Sequence, residues 1–201
     1  GSTGRASVLL GGLVNLGTNI GSGTRLSLNT SYNRTADNDA RLETGESENL
    51  GGRFRINRLR YVERTVLSNQ LQGEHRLGAR HAVDWTVARS QVNRDEPDRS
   101  EIVYSLDTDP SGNPLPAAWF SASNEGAVRT FAALTETNLE GQANYSVTLG
   151  GPSRPHQLRF GGLYRSTDRA ADNDSYSIAS TLPRAARELD PEAIFDGRFN
   201  A

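Results

Sequence analysis

Carboxylates cluster in two segments where a metal ion would find oxygen ligands. The first runs from Ala36 to Glu48, and the second covers 168–174. A calcium site needs several such oxygens at short, regular spacing. Neither segment has EF-hand spacing, and runs of charge usually face solvent, so we interpret both as solvated acidic loops. The carboxylates concerned are Asp37, Asp39, Glu43, Glu46, Glu48, Asp168, Asp172 and Asp174.

The residues that most often support catalysis are missing or poorly spaced. The histidines, His75, His81 and His156, are scattered and form no metal-ligand motif. The absence of cysteine excludes disulfides, thiolate metal sites and a cysteine nucleophile. No serine lies in a Gly-x-Ser-x-Gly elbow. We therefore predict that the chain is not an enzyme and carries no cofactor.

Two aromatic residues are candidates for contact with a ligand. Trp119 and Phe120 lie in a long polar segment, 93–126. Exposed side chains in such loops often bind ligands. The alternative is that both rings simply pack the loop.

A group of charged residues shares one side of the alternating segments. Arg58, Arg60 and Arg64 alternate with apolar residues, and so do Glu136 and Glu140 further along the chain. The arginines could attract an anionic substrate or carboxylates of another domain. We favour ordinary ion pairing of these arginines with Glu136 and Glu140 across the polar face that the alternating segments share. If the strands form a barrel, this face would line its lumen.

Period-two alternation dominates the chain and predicts strands with two unlike faces. In the segment 24–34, for example, Leu26, Leu28 and Tyr32 fall on one side, whereas Arg25 and Asn29 fall on the other. About six strands fit this pattern. They lie near 6–16, 24–34, 54–77, 82–93, 127–149 and 157–167.

The strands and their links suggest a membrane wall. Strands of soluble domains run to about 5–6 residues, whereas a tilted strand needs about 9–11 residues to cross a bilayer. Short links near 18–23, 78–81 and 150–155 alternate with long polar ones. Outer-membrane barrels have this asymmetry of turns and loops. The long links are 35–52, 93–126 and the stretch from Asp168 onward.

These observations predict an all-β fold: an antiparallel, up-and-down transmembrane β-barrel segment of about six long strands with long extracellular loops. Residues 1–168 would form the barrel wall, and 169–201 an extracellular loop with a short helix within 183–195. Six strands cannot close a barrel, because even small ones need eight. Together with the absence of Met, this leads us to expect an incomplete barrel, cut from a longer chain.

Overall composition agrees with such a wall. Mean hydropathy is -0.60, which is compatible with a barrel because the lumen face of each strand is polar. The formal net charge of -2 gives no electrostatic case for nucleic acid. Outer-membrane lipid is therefore the expected environment.

Several strings go beyond generic barrel character. In order along the chain they resemble the barrel of TonB-dependent receptors, particularly the group with an N-terminal carboxypeptidase-like extension. In that group a G-E-H strand, a D-W strand, an E-P-D loop and an F-G-G strand follow in this order. The resemblance extends from about Tyr32 to Ala201. The strings are Arg58–Arg64, Leu71–Leu77, Asp84–Ser90, Asp95–Arg99 and Leu158–Arg165.

The resemblance implies a large barrel in the outer membrane of a Gram-negative bacterium, with a plug domain in its lumen and the TonB complex as its energy-coupling partner. Such a protein imports a scarce nutrient, for example a siderophore, cobalamin or a glycan. No plug or TonB box is recognisable in this sequence. Two alternatives stay open: a non-transporting barrel such as a porin or adhesin, and a soluble carbohydrate-binding β-sandwich.

Overall fold

Long strands account for most of the chain. The computed structural model describes residues 1–48, 51–121, 125–151 and 155–195. After the strands come a 3-10 helix, Arg184–Arg187, and helix α1, Pro191–Phe195. The strands are β1 Ser2–Ile20, β2 Thr24–Ser47, β3 Gly52–Leu77, β4 His81–Ser105, β5 Ala118–Trp119, β6 Ala127–Leu149 and β7 His156–Ser177.

All strands belong to one antiparallel sheet with the order β1-β2-β3-β4-β6-β7, and the two-residue β5 pairs with β4. The prediction of an all-β, up-and-down arrangement of six long strands is confirmed. The sheet is open, since β1 and β7 each have an edge without a partner strand among the described residues. Tight turns after β1 and β3 contain Gly21 and Gly78, both with positive φ, where glycine is strongly favoured.

The strands extend further than the alternation of apolar residues predicts. β2 continues to Ser47, β4 to Ser105 and β7 to Ser177, through residues that sequence reasoning assigns to long links. Ion pairs between neighbouring strands, such as Arg58–Glu101, replace apolar contacts in these extensions. Their polar composition therefore resembles that of a loop although the backbone remains paired. The long link after β4 shortens to 106–126.

A β-bulge interrupts β4 at the E-P-D string. Between Asp95 and Arg99, β4 carries one residue more than β3 and one more than β6. Pro97 lies in this interval and has no N–H to donate, which suits a bulge and not a regular ladder. The extra residue changes the parity of the strand. Even-numbered residues up to Glu96 and odd-numbered residues from Arg99 onward consequently share one face.

A small core lies at the end of the sheet opposite the tight turns, which we call the upper end. The C-terminal segment packs on β4 and β5, and Tyr104 donates a hydrogen bond to the carbonyl of Leu189 at 2.9 Å. Burial raises the pKa of Tyr104 to about 12. At Gly126 a Cβ atom would lie 1.6 Å from the Phe120 carbonyl oxygen, so only glycine fits. The core residues are Ile102, Tyr104, Trp119, Ala127 and Ile194.

Candidate functional site

The two faces of the sheet differ sharply, and the strand register shows this row by row. One row across the lower half of all six long strands is apolar or small on one face. The next row towards the upper end, which points to the opposite face, is mostly polar. The first row is Leu16, Leu28, Leu71, Val87, Gly141 and Tyr164, and the second is Asn15, Asn29, Gln70, Ala88, Glu140 and Arg165.

The apolar face forms a band beside the tight turns. The band spans nine residues on β2 (24–32) and on β7 (156–164), and eleven on β3 (67–77) and on β6 (139–149). Within these ranges that face carries no aspartate, glutamate, lysine or arginine. On β4 the charge-free part of the same face is shorter and covers 81–87, because Arg89 lies in the row of Asn69 and Leu139. Many of its large side chains are exposed, for example Leu71 at 42%. An exposed apolar surface of this extent is characteristic of contact with a partner or with lipid.

Aromatic pairs mark the lower edge of the band. The Trp85 ring stacks on His75 and its Nε1 donates to His75 Nε2 at 2.9 Å. His81 and Tyr145 stack and share a 2.5 Å hydrogen bond. Gly73 makes room for the indole, because a Cβ there would lie 2.4 Å from the Trp85 ring. These amphipathic rings thus line the apolar face where the turns begin.

Charged residues mark the upper edge of the band on the same face. Glu63 accepts hydrogen bonds from Arg34 at 2.6 Å and from the Tyr61 hydroxyl at 3.2 Å. Pairing of β2 with β3 is uninterrupted here, so Glu63 remains on this face. It lies four residues above Leu67, the last residue of the band on β3. Of the two explanations for a charge on this face, a bulge in β3 or a position above the band, the geometry supports the second.

The Arg34 guanidinium lowers the pKa of Glu63 below its usual value, and the Tyr61 hydroxyl adds to the effect. A depressed folded-state pKa means that the stabilisation is present above the unfolded-state pKa and is lost as pH falls through the folded-state value. We expect Arg34→Gln to move the Glu63 titration towards a higher pH. Carbon-13 NMR of the labelled Glu63 carboxyl would measure this.

The control for this titration is Arg64→Gln, since Arg64 lies on the opposite face and pairs with Asp37 at 2.9 Å. This variant should leave the Glu63 titration unchanged. An identical Glu63 midpoint in the wild type and in Arg34→Gln would show that the pair does not perturb the carboxyl.

Ion pairs and polar hydrogen bonds connect the strands on the polar face. Most pairs link adjacent strands, and Arg159 on β7 reaches across β6 to Asp84 on β4 at 2.9 Å. Asn144 on β6 donates to the same carboxylate at 2.7 Å. The pairs between adjacent strands include Arg5–Asp39, Arg64–Asp37, Arg58–Glu101, Arg165–Glu140 and Arg169–Glu136.

The predicted lumen-facing residues all lie on this polar face, but their partners differ from the favoured interpretation. Arg58, Arg60 and Arg64 pair with residues of β2 and β4, not with Glu136 and Glu140. The two glutamates pair with arginines of β7 instead. The strand order explains the difference, because β4 lies between β3 and β6.

The most buried charged group is Glu96, in the bulge of β4. Its residue is 1% exposed and three arginines converge on it. Arg60 Nε lies 3.3 Å and Arg99 Nη1 3.7 Å from Glu96 Oε1, and Arg94 bonds Oε2. Sequence reasoning did not select Arg94, Glu96 or Arg99 for this role. The available signal was a proline inside an alternating segment, which predicts a bulge and a change of face.

The structure packs both candidate ligand-binding aromatics against other residues. Trp119 is fully buried in the small core. The Phe120 ring packs edge-on against Phe54 with centroids 5.1 Å apart. The alternative that these rings pack the loop accounts for this arrangement, and ligand contact stays a prediction.

Neither metal-binding groups among the described residues nor similarity to known proteins identifies a role for this chain. Across the described residues, no group of three or more histidine, aspartate or glutamate side chains could hold a metal ion. In that same part of the chain, no helix is both long and apolar enough to cross a membrane. Searches against protein-family models and curated proteins find no match to this chain.

Proposed function

We propose that this sheet is part of the wall of an outer-membrane β-barrel, with the apolar band against lipid and the polar face towards an aqueous lumen. The observation that carries the proposal is the exposed band of nine to eleven residues on most of the long strands. This is the length that a tilted strand needs to cross a bilayer, about 9–11 residues. Polar residues on the alternate positions then account for the low mean hydropathy of -0.60.

The edges of the band support the same orientation. Trp and Tyr prefer the boundary between lipid and water, and Trp85 and Tyr145 lie at the lower edge while Tyr32 and Tyr61 lie at or above the upper edge. Charges are costly on a lipid-facing surface. The Arg34–Glu63 pair lies just above the band, where water or headgroups would solvate it. Arg89 is the exception on β4, since it lies on this face one row below Leu67, and its long side chain would have to extend towards the upper edge to reach water.

A soluble β-sandwich would bury the apolar face under a second layer. In the described residues the C-terminal segment covers only the upper end of the sheet, and the band remains exposed. An open sheet in lipid would also leave backbone groups unpaired at several kcal/mol each. The proposal therefore requires further strands along the free edges of β1 and β7, from a larger barrel.

We further propose that the barrel is a TonB-dependent importer of a scarce nutrient. Support comes from the order of the G-E-H, D-W, E-P-D and F-G-G strings, which resembles that of this family. Strands of 22 to 26 residues on β2, β3, β4, β6 and β7 would extend well beyond the bilayer, because a tilted strand crosses it in about 9–11 residues. A porin or adhesin is the second candidate. A plug domain encoded upstream would favour the importer, and its absence would favour the porin or adhesin.

Paired cysteine substitutions on adjacent residues test the membrane proposal. Leu28→Cys and Leu71→Cys would lie in the band, whereas Ser27→Cys and Gln70→Cys would lie on the polar face. This sequence has no cysteine to interfere. In the full-length protein in its membrane, we expect a small charged methanethiosulfonate to modify the polar-face pair and to spare the band pair.

A lipid-soluble maleimide should show the reverse preference, which controls for folding. Equal modification of Gln70→Cys and Leu71→Cys by the charged reagent would contradict the proposal. So would recovery of the full-length protein as a soluble monomer without detergent.

A further inference from the structure

Arginines face each other directly across β3 and β4 on the polar face. Arg64 is the register partner of Arg94, and Arg60 is the register partner of Arg99. Like charges placed directly opposite each other destabilise a sheet. Two such pairs, only four residues apart on β3, therefore need compensation from counter-charges. We refer to Arg60, Arg64, Arg94 and Arg99 as the arginine patch.

The counter-charges around the arginine patch are too few. Glu96 pairs with three of the arginines, and Asp37 pairs with Arg64. Asp39 is the register partner of Arg60 but its ion pair is with Arg5 at 2.5 Å. Counting Arg5, five cations face three carboxylates among the residues that the structure describes, which leaves a surplus of two positive charges there.

The neighbouring strands do not balance this surplus. Above the patch, Arg58 and Glu101 neutralise each other. On the β6 side, the residues opposite the patch are Leu134, Ala132 and Thr130, none of which is charged. Below it, Glu136 is already paired with Arg169.

Burial differs between the patch and its main counter-ion. The Glu96 side chain is 2% exposed, whereas the four arginine side chains are between 31% and 44% exposed. Each guanidinium has five N–H donors, and one carboxylate accepts about four hydrogen bonds. Glu96 therefore binds the guanidinium groups on the side that faces the sheet. N–H donors remain available on the side that faces away from the sheet.

We propose that the arginine patch binds a small solute carrying two or more carboxylate or phosphate groups. Guanidinium forks match the oxygen pairs of these groups and bind them bidentately. A solute with two anionic groups would neutralise the surplus of two charges. The inference rests on the proposed function in one respect, since the polar face must be accessible from the aqueous lumen.

Isothermal titration of the full-length protein in nanodiscs tests this, with citrate and pyrophosphate as probes. We expect saturable binding that weakens as NaCl is raised. Arg64→Gln should weaken binding by about tenfold, the equivalent of about 1.4 kcal/mol, because a charged hydrogen bond to the solute is lost. Asp37 would keep its 2.7 Å hydrogen bond from Ser7 in this variant, so the sheet should still fold. Arg94→Gln should have a similar effect.

Arg89→Gln is the matched control, because Arg89 lies on β4 but on the opposite face. It should bind both probes as the wild type does. Equal affinity of Arg64→Gln and Arg89→Gln would overturn the inference. The inference would also be overturned if the wild type bound neither probe and Arg64→Gln lowered the Tm. That result would mean that a carboxylate from another part of the full-length protein already neutralises the arginine patch. A protein that passes the cysteine test but binds neither probe would leave the membrane proposal intact.

Discussion

Leu71→Arg should strongly destabilise the protein in a membrane. Leu71 lies near the middle of the band on β3, between Leu28 on β2 and Val87 on β4. Its side chain points away from the sheet and is 42% exposed. If the band contacts lipid, arginine at mid-depth should cost about 2–4 kcal/mol. Folding titrations in urea with lipid vesicles would measure the loss.

The adjacent residue provides the control. Gln70→Arg introduces the same side chain at the same depth but on the polar face, and it removes the Gln70 Oε1 that accepts a 3.3 Å hydrogen bond from Asn29. We expect a loss of no more than about 1 kcal/mol, the net contribution of one such hydrogen bond. If both variants lose the same stability, depth and not face determines the cost. If Leu71→Arg assembles as the wild type does, the band does not face lipid.

The alternation of residues was sufficient to predict the lower half of the sheet. Leu26, Leu28 and Tyr32 fall on one face of β2 as their spacing predicts, and Leu67 and Leu71 extend that face on β3. One buried or lipid-facing side is enough to fix register, because a shift by one residue would exchange the two faces. Fold class and strand number follow from that pattern.

The upper half was harder to predict because its strands are held together by charge. Asp37 and Asp39 suggest a solvated loop when they are considered within their own segment. In the sheet they lie opposite Ser7 and Arg5 of β1, which are 30 and 34 residues away in sequence. Such partners become evident only when the register is known, so composition alone predicts a loop where the structure has paired strands.

The charged centre of the polar face depends on a single inserted residue. Without the bulge, Glu96 and Arg99 would lie on opposite faces of β4, since they are three residues apart. The additional residue beside Pro97 brings both to the polar face. Counting alternate residues from Asp84 therefore gives the wrong face for every side chain after the bulge. This explains why Arg99 did not stand out beside Arg58, Arg60 and Arg64. Arg94 lies before the bulge and was missed because it falls in the segment 93–126, which sequence reasoning assigns to a long link.

Glu96→Gln should destabilise the upper half of the sheet, because it leaves three arginines without their shared carboxylate. Removing one partner of a fully buried ion pair costs about 3–5 kcal/mol. The arginine side chains are 31–40% exposed, so water would recover part of this loss. We expect about 2 kcal/mol, measured by urea unfolding of the full-length protein in detergent.

Glu136→Gln is the matched control, because Glu136 has a single arginine partner at 3.9 Å and a side chain that is 27% exposed. It should cost less than about 1 kcal/mol, as exposed ion pairs do. Adding Arg99→Gln to Glu96→Gln should restore part of the lost stability, since one repelling cation is removed.

Glu96→Gln also separates a structural role from ligand binding, because its two expected effects have opposite signs. The substitution raises the surplus positive charge of the arginine patch from two to three, so citrate should bind more tightly while the free energy of unfolding falls. At saturating citrate the bound anion should recover part of the stability, since a ligand that binds only the folded state stabilises it. A variant that loses stability and citrate affinity together would mean that Glu96 merely keeps the patch folded, and that the surplus charge is not what attracts the anion.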